Sequence, residues 1–202
     1  ADYALEALSK SNIKEVVMLG RRGPAQAAFT NPEAKELGQL AGADFCVLPE
    51  EVALDELSQA DLKNGSENTV SRKVDLLQQT ARRELSNKPK KLTIRFLVSP
   101  VALLADETSG VARLRIVKNE LYRTENGTLR PRPTDRFEEM PIGLVFRSVG
   151  YRGLPLPGIP FNQEWGVVLN EKGRIVDPES RNPLPGLYTS GWIKRGPSGV
   201  RS

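Results

Sequence analysis

Two periodicities alternate along the first half of the chain. "EVVMLG" at 15–20 and "DFCVLP" at 44–49 are short, nearly continuous apolar runs, the pattern of strands buried on both faces of a parallel sheet. Between them a helix is predicted from Asn31 to about Leu40, with Asn31 as N-cap and Pro32 at the first helical position. The opening residues read as the end of a helix with Ala4, Leu5 and Leu8 on one face, and "EEVALDELSQADL" is acidic and helical in pattern. From Ser66 to about Ser86 the helical stripe is clearest. Val70, Val74, Leu77, Ala81 and Leu85 share one face, with Arg72 and Arg83 opposite.

The second half changes character. "LTIRFLVSP" alternates like a strand and is expected to stop at Pro100. Residues 101–148 read as several strands separated by "TSG", "ENG" and Pro-rich turns, a β-meander. "GYRGLPLPGIPF" is a loop dense in Gly and Pro, and "GVVLNEKGRIV" is a hairpin turning near Glu171–Gly173. The order β-α-β-α-α-β followed by an antiparallel unit predicts an α/β fold with a mostly parallel sheet.

Composition narrows the chemistry. At 202 residues, 39% hydrophobic and 27% charged, the chain is an ordinary globular one of a single domain or slightly more. No apolar run approaches the ~20 residues that cross a membrane, and the charged start is not a signal peptide. Histidine is absent, which removes the usual general base, the Ser-His-Asp and Cys-His arrangements and the commonest metal ligand. The lone Cys46 permits no internal disulfide and no cysteine-based metal site, and its setting is that of a buried strand residue. The net charge of +4 is uneven: residues 1–60 hold five Lys/Arg against ten Asp/Glu, and residues 61–100 hold nine against four. A basic middle of this kind points to an acidic partner. A nucleic-acid binder would interleave aromatics with its cations, and Phe96 is the sole aromatic of 61–100.

"VVMLGRRGPAQAAF" carries the sharpest candidate. In nucleotide-binding α/β units the second strand ends beside the adenosine ribose, where a carboxylate selects NAD and arginine accommodates the 2′-phosphate of NADP. Arg21 and Arg22 stand just past "EVVML". Guanidinium binds phosphate through paired, charge-assisted hydrogen bonds and keeps its charge at any working pH. Taken alone, Arg-Arg at a strand end is more often a solvated turn. The G-x-G-x-x-G/A turn that seats the pyrophosphate on a helix N-terminus has no counterpart before Val16.

"VVMLGRRGPAQAAFT", "RSVGYRGLPLPGIPF" and "GWIKRGPSGV" together resemble the adrenodoxin-reductase type of ferredoxin–NADP reductase in its bacterial form, over about residues 2–200. The resemblance implies a glutathione-reductase-like flavoenzyme, with an FAD-binding domain and an inserted Rossmann-like NADP-binding domain. Hydride would pass from NADPH to FAD, and single electrons from there to ferredoxin or a similar iron–sulfur protein. On this pattern residues 1–150 are a partial NADP-binding domain including the meander, and 151–202 return towards the FAD domain. Because the FAD fingerprint and the pyrophosphate turn are not in the sequence, the chain alone is expected not to catalyse turnover.

Roles carry over by position. Arg21 and Arg22 match the family's 2′-phosphate arginines, and Glu33 matches a glutamate that contacts NADP. Glu36, the expected catalytic residue, matches a carboxylate that in the family pairs with a histidine of the FAD domain beside the nicotinamide. The spacing of three puts it on the same side of a helix as Glu33. By residue type alone, a glutamate in a first helical turn answers the macrodipole and needs no other job. Trp192 would lie against the flavin, and Gly199 and Val200 would offer backbone N–H groups to its edge. Ser198 stands where the family usually has threonine. On the helix at 66–86, Arg72 fits a ferredoxin-docking role, with Lys73, Arg82 and Arg83 enlarging the patch. Gln79 departs from the arginine of vertebrate members, and a charged outer face is most often only solvated. The expected protein is a monomer in the cytoplasm, or in the mitochondrion if eukaryotic. The competing readings are a binding-only or inert nucleotide-domain fragment and another NADPH-dependent flavoprotein such as a glutamate synthase small subunit.

Overall fold

The computed structural model describes residues 2–64, 68–107, 110–150 and 152–196. The chain divides into two compact units, one up to Leu144 and one from Val145 onwards, a few residues ahead of the expected boundary.

In the first unit, helix α1 (Asp2–Ser9) leads into strand β1 (Glu15–Leu19), a short 3-10 turn (Pro24–Gln26) and helix α2 (Asn31–Gly38). Strand β2 (Ala43–Val47), helices α3 (Pro49–Val52), α4 (Glu56–Lys63) and α5 (Asn68–Arg82) and strand β3 (Lys90–Arg95) follow. The three strands form a parallel sheet in the order β1-β3-β2, with Val16 opposite Leu92 and Phe45 opposite Leu92 on the other side. Thus β1 is an edge strand, and Val16 and Met18 are each 49% exposed. The expectation that this strand is buried on both faces is corrected: the face carrying Val16 and Met18 is uncovered, while Val17 and Leu19 on the other face are half-buried.

Other expectations shift by local chemistry. The cap of α2 is Thr30, not Asn31. Thr30 accepts from the Glu33 backbone N–H, while the Glu33 carboxylate reaches back to the Thr30 N–H at 2.6 Å, a reciprocal capping box. The acidic stretch forms two helices, because the Asp55 carboxylate accepts from the Ser58 N–H at 3.0 Å and starts α4 afresh. Helix α5 ends at Arg82, so Leu85 leaves the stripe and is half exposed. The stripe itself holds: Val74 and Leu77 are buried, and Leu77 joins Phe45, Val47, Val52, Ile94 and Phe96 in the core, with Ala81 packed against them.

"LTIRFLVSP" does not stop at Pro100. It forms two strands, because Leu97 takes a φ of +55° and turns the chain out of β3 into β4 (Val98–Ala105). With β5 (Val111–Arg123) and β6 (Leu129–Pro141), β4 makes an antiparallel meander in the order β4-β5-β6. Its "ENG" turn places Gly127 at φ +82°, where glycine is favoured. Val98, Leu114 and Ile116 form a second core, closed by Leu19, Met140 and Ile142.

Buried charge joins the two sheets of this unit. Arg95 donates from Nε to Glu51 at 2.9 Å, and from Nη1 and Nη2 to both oxygens of Glu138 at 3.0 and 2.7 Å. Glu51 also accepts from Lys118 Nζ and from the Phe96 N–H, each at 2.8 Å. Glu51 and Arg95 are nearly inaccessible, and every charge in the cluster has an opposite partner.

The second unit contains a hairpin of β7 (Phe161–Asn162) and β8 (Val167–Val168) and a sheet of β9 (Asn170–Glu171), β10 (Arg174–Val176) and β11 (Pro183–Tyr188). Lys172 and Gly173, at φ +52° and +92°, make the anticipated turn between β9 and β10. Helix α6 (Trp192–Arg195) is tied down where Asn170 Nδ2 donates to the Lys194 carbonyl at 2.8 Å. Val167, Val168, Ile175 and Val176 are buried here.

Candidate functional site

The segment from Gly20 to Arg22 leaves the end of β1 with its backbone fastened at each residue. The Gly20 N–H donates to the Arg95 carbonyl at 2.8 Å, and the Gly20 carbonyl accepts from Val98 at 3.1 Å. The Arg21 carbonyl accepts from Asn119 Nδ2 at 2.9 Å, and the Arg22 carbonyl from the Leu97 N–H at 3.1 Å. A Cβ on Gly20 would come within 3.3 Å of the Arg95 carbonyl, so the close approach of the two strands favours glycine there. With all three carbonyls turned inward, both guanidinium-bearing side chains are exposed. Among the described residues neither has a carboxylate within ion-pair distance.

Asn119 is the fixture behind this arrangement. It is 5% exposed, its Nδ2 bridges the Arg21 carbonyl and Ser99 Oγ (2.8 Å), and its N–H donates to the Leu97 carbonyl at 2.6 Å. Sequence reasoning missed it. The available signal was a short polar side chain at an inward strand position ("IVKNELY"), which does not reveal a partner 98 residues away.

Beyond Arg22 the turn at Pro24–Gln26 runs into α2. Glu33 and Glu36 are both exposed on that helix. The Glu33 carboxylate lies below its ordinary pKa because the Thr30 N–H and hydroxyl donate to it, and its Oε2 is committed to the cap. Glu36 has no comparable tether among the described residues.

The basic patch divides. Arg72, Arg82 and Arg83 are exposed as expected. Lys73 is 8% exposed and does not belong to the outer face, which corrects its place in the patch. One residue on from Arg72, it is rotated by about 100° towards the core side. Its ammonium donates to the Ala27 carbonyl and lies 5.6 Å from the Phe29 ring centre. Burial, reinforced by the Arg22 charge, pushes its pKa down. In the second unit, Trp192 is half exposed at the start of α6. Ser198, Gly199 and Val200 lie outside the described residues. Among the described residues no cluster of His, Cys, Asp or Glu could hold a metal ion, and no helix is long and apolar enough to cross a membrane.

No family model matches the chain. A curated relative, NADPH-ferredoxin reductase FprA of Mycobacterium tuberculosis H37Rv, is 40% identical over 200 residues, 99% of this chain and 41% of that protein. NADPH:adrenodoxin oxidoreductase, mitochondrial, of Bos taurus is 37% identical over 208 residues, 98% of this chain and 40% of that protein. The solved structure of Mycobacterium tuberculosis FprA in complex with NADPH superposes with a TM-score of 0.84 at 40% identity, covering 99% of this chain and 42% of that one. The chain therefore spans about two fifths of the length of the curated relatives it matches.

Proposed function

We propose, from the premise that this chain is a homologue of part of the adrenodoxin-reductase and FprA type of ferredoxin–NADP reductase, that it carries the adenosine 2′-phosphate end of an NADPH site. The observation that supports this reading is the Gly20–Arg22 segment. Two exposed guanidinium groups without carboxylate partners project from a backbone held by four hydrogen bonds. A dianionic monoester fits that donor set, since each guanidinium can offer it a pair of charge-assisted hydrogen bonds. The backbone is already ordered, so little conformational entropy is lost when the phosphate arrives.

In the proposed site Arg21 and Arg22 bind the 2′-phosphate. Glu33 contacts the nucleotide through the oxygen that the cap leaves over, and Glu36 sits towards the nicotinamide. The whole reductase would contain FAD, which supplies the capacity to take hydride and pass on single electrons. The described residues present no Gly-rich cradle for FAD. Trp192, Gly199 and Val200 are proposed as its nearest contributors. Arg72, Arg82 and Arg83 are proposed to meet an acidic ferredoxin, and the longer protein is proposed to be cytoplasmic in a bacterium or mitochondrial in a eukaryote.

Calorimetric titration of the full chain with 2′,5′-ADP and with 5′-ADP tests the reading. The 2′-phosphate should tighten binding, and the R21A/R22A double variant should lose about 2–4 kcal/mol of that preference. Equal affinity for the two nucleotides in the unmutated chain would overturn the assignment.

A further inference from the structure

Lys73 sits behind the arginine pair rather than on the docking face. Its ammonium is bound to the carbonyl of Ala27, in the turn that follows Arg22, and packs over Phe29 in the same turn. Helix α5 thereby holds the segment between the arginines and the capped start of α2. The contact also has a charge consequence. Among the described residues no carboxylate pairs with Lys73, although its side chain is more than nine-tenths buried. A cation so placed is normally paired, because removing it from water without an opposite charge is costly. Here its closest charged influence is another cation, Arg22, which together with burial disfavours the ammonium form.

We infer that Lys73 is a positioning and specificity-determining residue for the phosphate that Arg21 and Arg22 receive: it pins the turn behind Arg22 and adds an ammonium that an anion bound beside the arginine pair would offset. The inference rests on the proposed NADPH site and goes beyond it, because it assigns to that site a residue from a different helix. Neither a docking role nor a purely structural one accounts for both features. Docking needs an exposed ammonium, and the bond to Ala27 with the contact over Phe29 leaves that ammonium without a carboxylate among the described residues. A phosphate held by Arg21 and Arg22 would supply an opposite charge beside the segment that Lys73 holds.

The test uses the full chain and measures the ratio of affinities for 2′,5′-ADP and 5′-ADP in the unmutated protein, R21A/R22A, K73M, K73Q and K73R. K73Q retains a donor for the Ala27 carbonyl and drops the charge, and K73R retains the charge. The expected result is a loss of preference on the order of tenfold in K73M and K73Q, with K73R keeping most of it. A second measurement needs no variant. The side-chain NMR signals of Lys73 should move when 2′,5′-ADP is added and stay in place with 5′-ADP. If R21A/R22A abolishes the preference while K73Q preserves it, the role given to Lys73 is wrong and the arginine site stands. If the unmutated chain shows no preference, both fall together. Should K73M and K73Q fail to fold, unmoved Lys73 signals in the nucleotide-bound chain would overturn the inference.

Discussion

Two clusters of cations in the first unit follow opposite rules. Around Arg95 and Lys118 every positive charge is met: Glu51 and Glu138 take both, and the remaining Glu51 lone pair takes the Phe96 N–H. Around Arg21, Arg22 and Lys73 no carboxylate pairs with any of the three among the described residues, and the carbonyls of the segment are held by backbone N–H groups, the Asn119 amide and the Lys73 ammonium. The first cluster is complete without a ligand and braces two sheets. The second is fastened through its backbone and has no carboxylate partner among the described residues, which fits the anion site proposed for it.

Cutting each cluster separates the two roles. The largest expected effect is on folding. Glu51→Ala strands Arg95 and Lys118 in a poorly hydrated place and leaves the Phe96 N–H without an acceptor, so chemical denaturation should show a loss of about 3–5 kcal/mol. Asn119→Ala comes next, at about 1–3 kcal/mol for buried polar groups left unpaired, and it alone should damage both stability and the 2′-phosphate preference, since it joins the meander to the Arg21 carbonyl. A smaller effect depends on acidity. The bonds from Arg95 hold the Glu138 carboxyl below its ordinary value. Its contribution is therefore fully present above about pH 4.5 and lost as pH falls through the depressed folded value. Melting temperatures across that acid range should fall less steeply in Glu138→Gln. The smallest effect on stability is expected where the effect on binding is greatest: R21A/R22A should stay within about 0.5 kcal/mol of the parent.

Much of this was legible along the chain. The apolar runs gave β1 and β2, the stripe through Val74 and Leu77 gave α5, and "NEKG" gave the turn between β9 and β10. The arginine pair gained weight from the family resemblance, since two cations at a strand end are by themselves more often a solvated turn. The misses divide between local backbone geometry and contacts between distant residues. Leu97 carries no composition cue for a positive φ, yet it splits one apparent strand between two sheets. Thr30 replaces Asn31 as cap because Glu33 lies three residues beyond it and returns the bond. Lys73 looks like its neighbour Arg72 in sequence, and one step around the helix sends it inward. Asn119 and the Glu51–Arg95–Glu138 cluster gain meaning only when β3, β5 and β6 come together.

The three carbonyls of Gly20, Arg21 and Arg22 are gripped by main-chain and amide donors of other strands, with no use of the arginine side chains themselves. The pair thus behaves as an exchangeable tip on a rigid mount. On the proposed reading, coenzyme preference would be retuned there by swapping heads alone, a serine or an aspartate for a guanidinium, while the scaffold beneath keeps its shape.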